Sequence, residues 1–266
     1  MKKQVVLITG CSSGVGRELC RQLKSRDYIV VASARKEDSI RDIDADMTVE
    51  IDVTKEDIIL TAITRIVERY GTIDILINNA GYSVRSAIEE IRIGEVRQLF
   101  DVNVYGIIRM LQAVTPVMRK QGHGKIINIG SVSGRLTTGI NGVYCASKHA
   151  VEAISEAARY ELRPYGILVT VLEPGAMDTD FFTTLSKNSD ERMNSIGSPY
   201  FSLYQKDMNY RNRQKRANIV KSVESMCKII EKDNISARYT ISLPIIFKIL
   251  IRLPDRIREQ LLLKFN

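Results

Sequence analysis

The chain has 266 residues, 44% of them hydrophobic and 26% charged, which is material for one large α/β domain or two small ones. Lys and Arg outnumber Asp and Glu by 39 to 31, and the net charge of +8 suits a basic surface, an anionic ligand or an anionic membrane surface. No helix-turn-helix, zinc or aromatic RNA-binding pattern accompanies that charge, so nucleic acid is not an expected partner; the scattered Cys11, Cys20, Cys145 and Cys227 indicate neither a disulfide framework nor a metal site.

The opening MKKQVVLITG has two lysines and an apolar run, but the run ends at Ile8, too soon for a signal-peptide core. Residues 4–9 read instead as a buried strand, followed by a glycine turn and a helix over about 15–26. Strands follow at 28–34 and 47–52, then a helix near 55–70 and a strand at 73–80. A long helix over about 94–121 leads to a strand at 125–131, a helix over about 143–163 and a strand at 167–174. Continuous apolar strands alternating with helices predict a parallel sheet covered on both faces.

After Pro174 the alternation stops. Residues 175–215 are polar and read as one long lid or binding loop. A helix near 216–232, a strand at 237–242 and a basic amphipathic tail over 244–266 complete a single domain spanning 1–266. No stretch is long and apolar enough to cross a bilayer, and isolated cysteines suit a reducing compartment, so a cytoplasmic location is expected.

Two local patterns carry chemistry. Directly after the first strand, Gly10, Ser12, Ser13, Gly14, Val15 and Gly16 make a tight turn whose helix offers free N–H groups to a pyrophosphate. Its GxxxGxG spacing differs from GxGxxG, and glycine turns are common, so its place between strand and helix gives it weight. An acidic residue at the end of the second strand would bind the ribose of NAD, but this chain has Arg35 and Lys36 there. Arg35 is either a solvated strand-end arginine or a fork for the 2′-phosphate of NADP(H), the cofactor expected.

The second pattern is Tyr144 and Lys148, one turn apart on a helix face. The pair is either a surface coincidence or a phenol whose pKa is lowered for proton transfer by the neighbouring ammonium.

Taken in order, Thr9-Gly10-x-x-x-Gly14-x-Gly16, Asn78-Asn79-Ala80-Gly81, Ser131, Tyr144-x-x-x-Lys148 and Pro174-Gly175-x-x-x-Thr179 resemble the short-chain dehydrogenase/reductase family over residues 4 to about 242. The resemblance implies a Rossmann-type doubly wound α/β fold and a catalytic set of Asn103, Ser131, Tyr144 and Lys148. It implies that Lys148 also bonds the nicotinamide ribose and that Asn103 holds a water in a proton relay. Asp52 and Val53 would meet the adenine, Asn79, Ala80 and Gly81 the ribose, and Pro174, Gly175 and Thr179 the nicotinamide carboxamide. Each of these is otherwise an ordinary turn or strand-end residue.

Substrate residues are less legible. Phe181, Phe182, Tyr200, Phe201 and Tyr204 either wall an apolar pocket or belong to the core. Lys206, Arg211, Arg213, Lys215 and Arg216 either meet a substrate carboxylate or form a solvated face. The long tail resembles family members acting on steroids, retinoids and bile acids, which implies a bulky hydrophobic alcohol or ketone such as a hydroxysteroid or bile acid. The tail itself is expected to pack at a pocket or subunit contact rather than on a membrane. The alternatives are a 3-oxoacyl thioester reductase and a non-catalytic NADP(H)-binding sensor. A homodimer or homotetramer, built on the long helices, is implied by the resemblance.

Overall fold

Seven strands lie parallel in one sheet, in the order β3-β2-β1-β4-β5-β6-β7. The computed structural model describes residues 3–265, so the expectations touching Met1, Lys2 and Asn266 lie outside the described residues. In chain order the first elements are β1 (Val5–Ile8), α1 (Gly14–Lys24), β2 (Ile29–Ala34), β3 (Met47–Glu50), α2 (Glu56–Tyr70) and β4 (Ile75–Asn78). All four residues of β1 and of β4 are buried, as strands covered on both faces must be. Alternation then divides them: Val6 and Ile8 pack with Leu19, Leu23 and Ile77 on one face, while Val5 and Leu7 pack with Ile59, Ile66 and Leu76 on the other.

After β4 come α3 (Ile93–Phe100), a π-helical turn (Asp101–Tyr105), α4 (Gly106–Gln121), β5 (Gly124–Ile129), α5 (Gly142–Leu162) and β6 (Ile167–Pro174). The single helix expected over about 94–121 is therefore interrupted at Asp101–Tyr105. Such a turn inserts one residue per hydrogen-bonded loop and rotates the side chains that follow. It also falls on Asn103.

The expected loop over 175–215 is instead largely helical, with α6 (Phe181–Lys187), α7 (Asp190–Met193) and α8 (Phe201–Arg213). Its polarity hid the anchors. Tyr204 and Met193 are fully buried against Ala87 and Ile140, and four apolar residues at irregular intervals leave little periodic signal in sequence. α9 (Ile219–Ile230) covers the face that α1 shares, and β7 (Arg238–Ile241) closes the sheet beside β6.

The tail forms two short helices, α10 (Ile245–Leu250) and α11 (Asp255–Phe265), separated at Pro254, whose ring and missing N–H do not continue a helix. Leu250 is buried, but Ile245, Ile246 and Ile249 are exposed, so only one side of α10 packs. Among the described residues no helix is long and apolar enough to cross a membrane.

The chain runs outward from β1 to β2 and β3, then returns to β4 on the other side of β1. Successive connections thus leave β1 and β4 in opposite directions, which opens a crevice at their carboxyl ends. The residues singled out above gather at that edge.

Candidate active site

The glycine turn is held by the end of β4. Asn79 donates from Nδ2 to the carbonyls of Thr9 (2.9 Å) and Gly10 (3.0 Å), and the Thr9 hydroxyl accepts from the N–H groups of Asn79 (3.0 Å) and Ala80 (3.1 Å). Gly10 and Gly14 have φ of 71° and 55°, a left-handed conformation that favours glycine. Gly16 is required for space, since a Cβ there would lie 2.4 Å from the Gly10 carbonyl oxygen and 2.5 Å from Asn79 Nδ2. Asn79 therefore shapes the turn, and its amide is already engaged with main chain.

This turn fits the pyrophosphate of a dinucleotide. Ser12 and Ser13 are exposed, and Ser13, the N-cap of α1, makes no side-chain cap bond. The first turn of α1 has no acidic residue to compete with an anion, so its free N–H groups and the positive end of the helix dipole face outward. Val15 is half-buried and packs on the core below.

The flanking residues fall along the same edge. Arg35 and Lys36 follow β2 directly and both are exposed. Asp52 uses Oδ1 to accept from the N–H (2.9 Å) and hydroxyl (2.7 Å) of Thr54, which turns the chain after β3. Val53 packs so closely on α4 that a Cβ on Gly106 would meet it at 2.8 Å. Pro174 ends β6, and the Gly175 N–H donates to the Ile241 carbonyl at 3.0 Å. Thr179 stands across the crevice from Gly14, whose added Cβ would lie 3.5 Å from that of Thr179.

Deeper in the crevice lie Asn103, Ser131, Tyr144 and Lys148, all buried. Ser131 follows β5, Tyr144 and Lys148 occupy one face of α5, and Asn103 comes from the π-helical turn. Asn103 donates from Nδ2 to the Tyr82 carbonyl (2.9 Å) and Ser147 Oγ (3.2 Å), while its Oδ1 accepts from the Tyr82 N–H (3.0 Å). Those bonds fix the loop after β4 against α5. A Cβ on Gly81 would lie 3.1 Å from Asn103 Oδ1 and 3.9 Å from Lys148 Nζ, so these three residues converge.

The electrostatics differ from the local expectation. Burial pushes the Tyr144 phenol up to about 12, opposed by a hydrogen bond from Ser131 and then by the charge of Arg85. Burial pushes Lys148 down to about 8, against the pull of Glu152 one turn further on. Lys148 Nζ donates to the Ile129 carbonyl at 2.8 Å and stands 5.9 Å from the centre of the Tyr144 ring. The expectation that Lys148 lowers the phenol is thus not met here. Taking both groups out of water disfavours both charged forms, and the ammonium is turned to a main-chain oxygen.

The lid residues divide into walls and core. The Phe181 ring lies 6.0 Å from that of Tyr144, at 57°, and Phe182 follows it edge-on at 6.1 Å. Arg216 stacks 4.2 Å over Phe182. Tyr204 is core: its hydroxyl accepts from the Ala87 N–H (3.0 Å) and donates to Glu90 (2.5 Å). Tyr200 bonds Glu89 at 2.5 Å, and Phe201 is half-buried. Arg211 is buried on Asp207, whereas Lys206, Arg213 and Lys215 are exposed.

Three residues near the site carried no motif. Ser147 links Asn103 to the Tyr144 carbonyl, to which it donates at 2.7 Å. Glu152 is buried beside Glu173 and pushed up to about 7 by burial and that neighbour; only its i,i+4 spacing from Lys148 hinted at a role. Arg85, on the segment after β4, has a side chain only 15% exposed. A lone basic residue in Tyr82-Ser-Val-Arg-Ser-Ala87 was the available signal.

A family model described as short chain dehydrogenase matches residues 4–190. A protein of Bacteroides thetaiotaomicron named 3-ketodihydrosphingosine reductase is 34% identical over 236 residues, covering 88% of this chain and 86% of that one. The uncharacterized oxidoreductase YusZ of Bacillus subtilis is 35% identical over 220 residues, covering 79% and 78%. Among solved structures, a short-chain dehydrogenase from Streptomyces avermitilis superposes with a TM-score of 0.78 at 27% identity, covering 98% of this chain and 95% of that chain. The chain belongs to the short-chain dehydrogenase family, and the fold is that of its Rossmann-like oxidoreductases.

Proposed function

We propose that this short-chain dehydrogenase interconverts a secondary alcohol and a ketone on a bulky hydrophobic substrate, using NADP(H) and Tyr144 as acid and base. The observation that carries the reading is the burial of Tyr144, Ser131, Lys148 and Asn103 together in the crevice that the glycine turn borders. A proton donor and a second hydroxyl side by side are what a carbonyl oxygen needs as it becomes an alkoxide.

In the reducing direction the Tyr144 phenol, kept protonated by burial, gives its proton to the substrate oxygen. The Ser131 hydroxyl donates to the same oxygen and stabilises the developing charge. Alcohol oxidation runs these steps backwards and needs the phenolate. A nicotinamide, when bound, would supply or accept the hydride and, when oxidised, would add a positive charge favouring that phenolate. Lys148 would hold the ribose, Asn103 positions the loop after β4, and Phe181 covers the phenol against water.

For the cofactor, the exposed Arg35 and Lys36 at the tip of β2 support NADP(H), because a guanidinium matches the 2′-phosphate and no carboxylate stands there to bind a free 2′-hydroxyl. The first turn of α1 would take the pyrophosphate, and Asp52, Val53, Asn79, Ala80, Gly81, Pro174, Gly175 and Thr179 would border the remainder. For the substrate, Phe181 and Phe182 and the long tail support a hydroxysteroid or bile acid. The relative named 3-ketodihydrosphingosine reductase favours a second reading, a long-chain 3-ketone or 3-oxoacyl thioester. The assembly proposed is a cytoplasmic homodimer or homotetramer through α4 and α5.

The test is NADPH oxidation followed at the nicotinamide absorbance band, with steroid ketones, keto bile acids, acetoacetyl thioesters and a long-chain 3-ketone. Tyr144→Phe should lower turnover by roughly 10²–10⁴-fold while leaving NADPH affinity intact. A Tyr144→Phe protein as active as wild type would overturn the assignment; no turnover of any ketone despite tight NADPH binding would move the reading to a sensor.

A further inference from the structure

Arg85 lies outside every motif above, yet its surroundings are built. Its N–H donates to Ser189 Oγ of the lid at 2.8 Å, its carbonyl accepts from Arg192 at 3.4 Å, and the next residue, Ser86, donates from N–H to the Ile140 carbonyl at 2.9 Å. Ile140 and Asn141 lead directly into α5, so the segment carrying Arg85 is fastened both to the lid and to the approach to Tyr144. Within that fastening the guanidinium is poorly satisfied. Nε and Nη1 are buried and have no hydrogen-bond partner among the described residues. Among the described residues its carboxylate neighbour is Asp207, with Oδ2 3.8 Å from Nε.

That same oxygen accepts from Arg211 Nε at 2.8 Å, and Arg211 is itself 7% exposed. One carboxylate therefore serves two guanidiniums, the buried one of Arg211 and the half-buried one of Arg85, and the better bond goes to Arg211. Among the described residues, Arg85, Arg211 and Asp207 together carry one excess positive charge, and two Arg85 donors have no acceptor. Buried donors without an acceptor are costly, and a ligand that accepts from them relieves that cost. The bonds to Ser189 and Ile140 set this excess charge between the lid and the start of α5, two turns of chain that flank Tyr144, and the charge favours the ionised phenol.

We infer that Arg85 is the anion receptor of the substrate pocket and that the hydrophobic ketone or alcohol carries a carboxylate. The inference rests on the alcohol–ketone reading of Tyr144, since it identifies the anion with the substrate. A single carboxylate matches one excess charge and offers two oxygens to a planar donor fork. A phosphate monoester, near two negative charges at neutral pH, overcompensates it. A protonated amine meets an uncompensated guanidinium and is rejected, which separates this pocket from one for a long-chain amino ketone.

The test uses the full chain saturated with NADP⁺ and isothermal titration with decanoate, decanol and decylammonium. Decanoate should bind about tenfold or more tighter than decanol, as a charge-assisted pair implies, and decylammonium weakest. Arg85→Gln should abolish the preference for decanoate while leaving NADP⁺ affinity, the control for folding, unchanged. Arg85→Lys should retain part of it, and Asp207→Asn, which removes the competing carboxylate, should strengthen decanoate binding. Equal binding of decanoate and decanol by wild type, or a decanoate preference that survives Arg85→Gln, overturns the inference; the first comparison needs no variant. A carboxylate preference that depends on Arg85 in a protein turning over no ketone would leave the receptor standing and remove the oxidoreductase reading. Ketone turnover without that preference would do the reverse.

Discussion

Replacing Lys148 by methionine should stabilise the protein as it silences it. The ammonium is 6% exposed, and burial pushes its pKa from 10.5 down to about 8. A shift of that size corresponds to about 3 kcal/mol by which the folded protein disfavours the charged lysine. Methionine keeps the length and fills the space, but it leaves the Ile129 carbonyl without its 2.8 Å donor, a loss of about 1 kcal/mol. Desolvation wins, and the variant should be more stable by about 2 kcal/mol at neutral pH. For a domain of this size that is a Tm increase of roughly 4–8 °C.

The pH dependence gives the sharper check. A lysine whose folded pKa lies below its unfolded value destabilises most where it is protonated in both states, below about 8. The cost fades as pH rises from about 8 and is nearly gone at 10.5, above which lysine is neutral in both states. Urea unfolding of wild type and Lys148→Met, at fixed protein concentration without nucleotide, should show the gap at pH 7 and little of it at pH 10.5. A variant less stable than wild type at pH 7, or a gap that does not change with pH, would refute the reasoning. Turnover should be lost throughout.

Gly16→Ala should lower stability by about 1–3 kcal/mol and weaken NADPH binding, because its Cβ would lie 2.4 Å from the Gly10 carbonyl oxygen; an unchanged urea midpoint would show that the turn gives way. Arg35→Ser should weaken NADPH binding roughly 10–100-fold, the value of a charge-assisted contact, and leave NADH binding nearly unchanged; equal losses for both cofactors would remove Arg35 from the 2′-phosphate. With the phenol pushed up to about 12, alcohol oxidation should accelerate from pH 7 to 9.5 while ketone reduction stays flat over the same range. An oxidation rate independent of pH would mean that proton transfer from Tyr144 is not what limits it.

The sheet was legible in the sequence because its strands are short, continuous apolar runs such as Val5–Ile8 and Ile75-Leu76-Ile77. The strand order was not, since no run states its neighbours; that order emerges from the family fold and from the packing of helices on both faces. The lid was misread for the opposite reason. Tyr204, Met193 and Met208 anchor it to Ala87 and Ile140, contacts made across more than fifty residues of chain, while its own composition is polar. The π-helical turn at Asp101–Tyr105 was equally invisible, because its residues sit in an otherwise uninterrupted helical pattern.

What the sequence by itself determined are the relations that hold within one element: glycines where a turn needs positive φ, an arginine and lysine in place of an acid after β2, and Tyr144 one turn from Lys148. These are consequences of backbone geometry, which operates over a few residues. Only the tertiary structure decided what those groups experience. Packing buries Tyr144 and Lys148, brings Ser131 to the phenol and turns the ammonium towards Ile129, so that both pKa values move away from the charged form. It also encloses Arg85 with half a counter-ion. Solvation is a property of everything that surrounds a group, and most of that surrounding comes from distant parts of the chain.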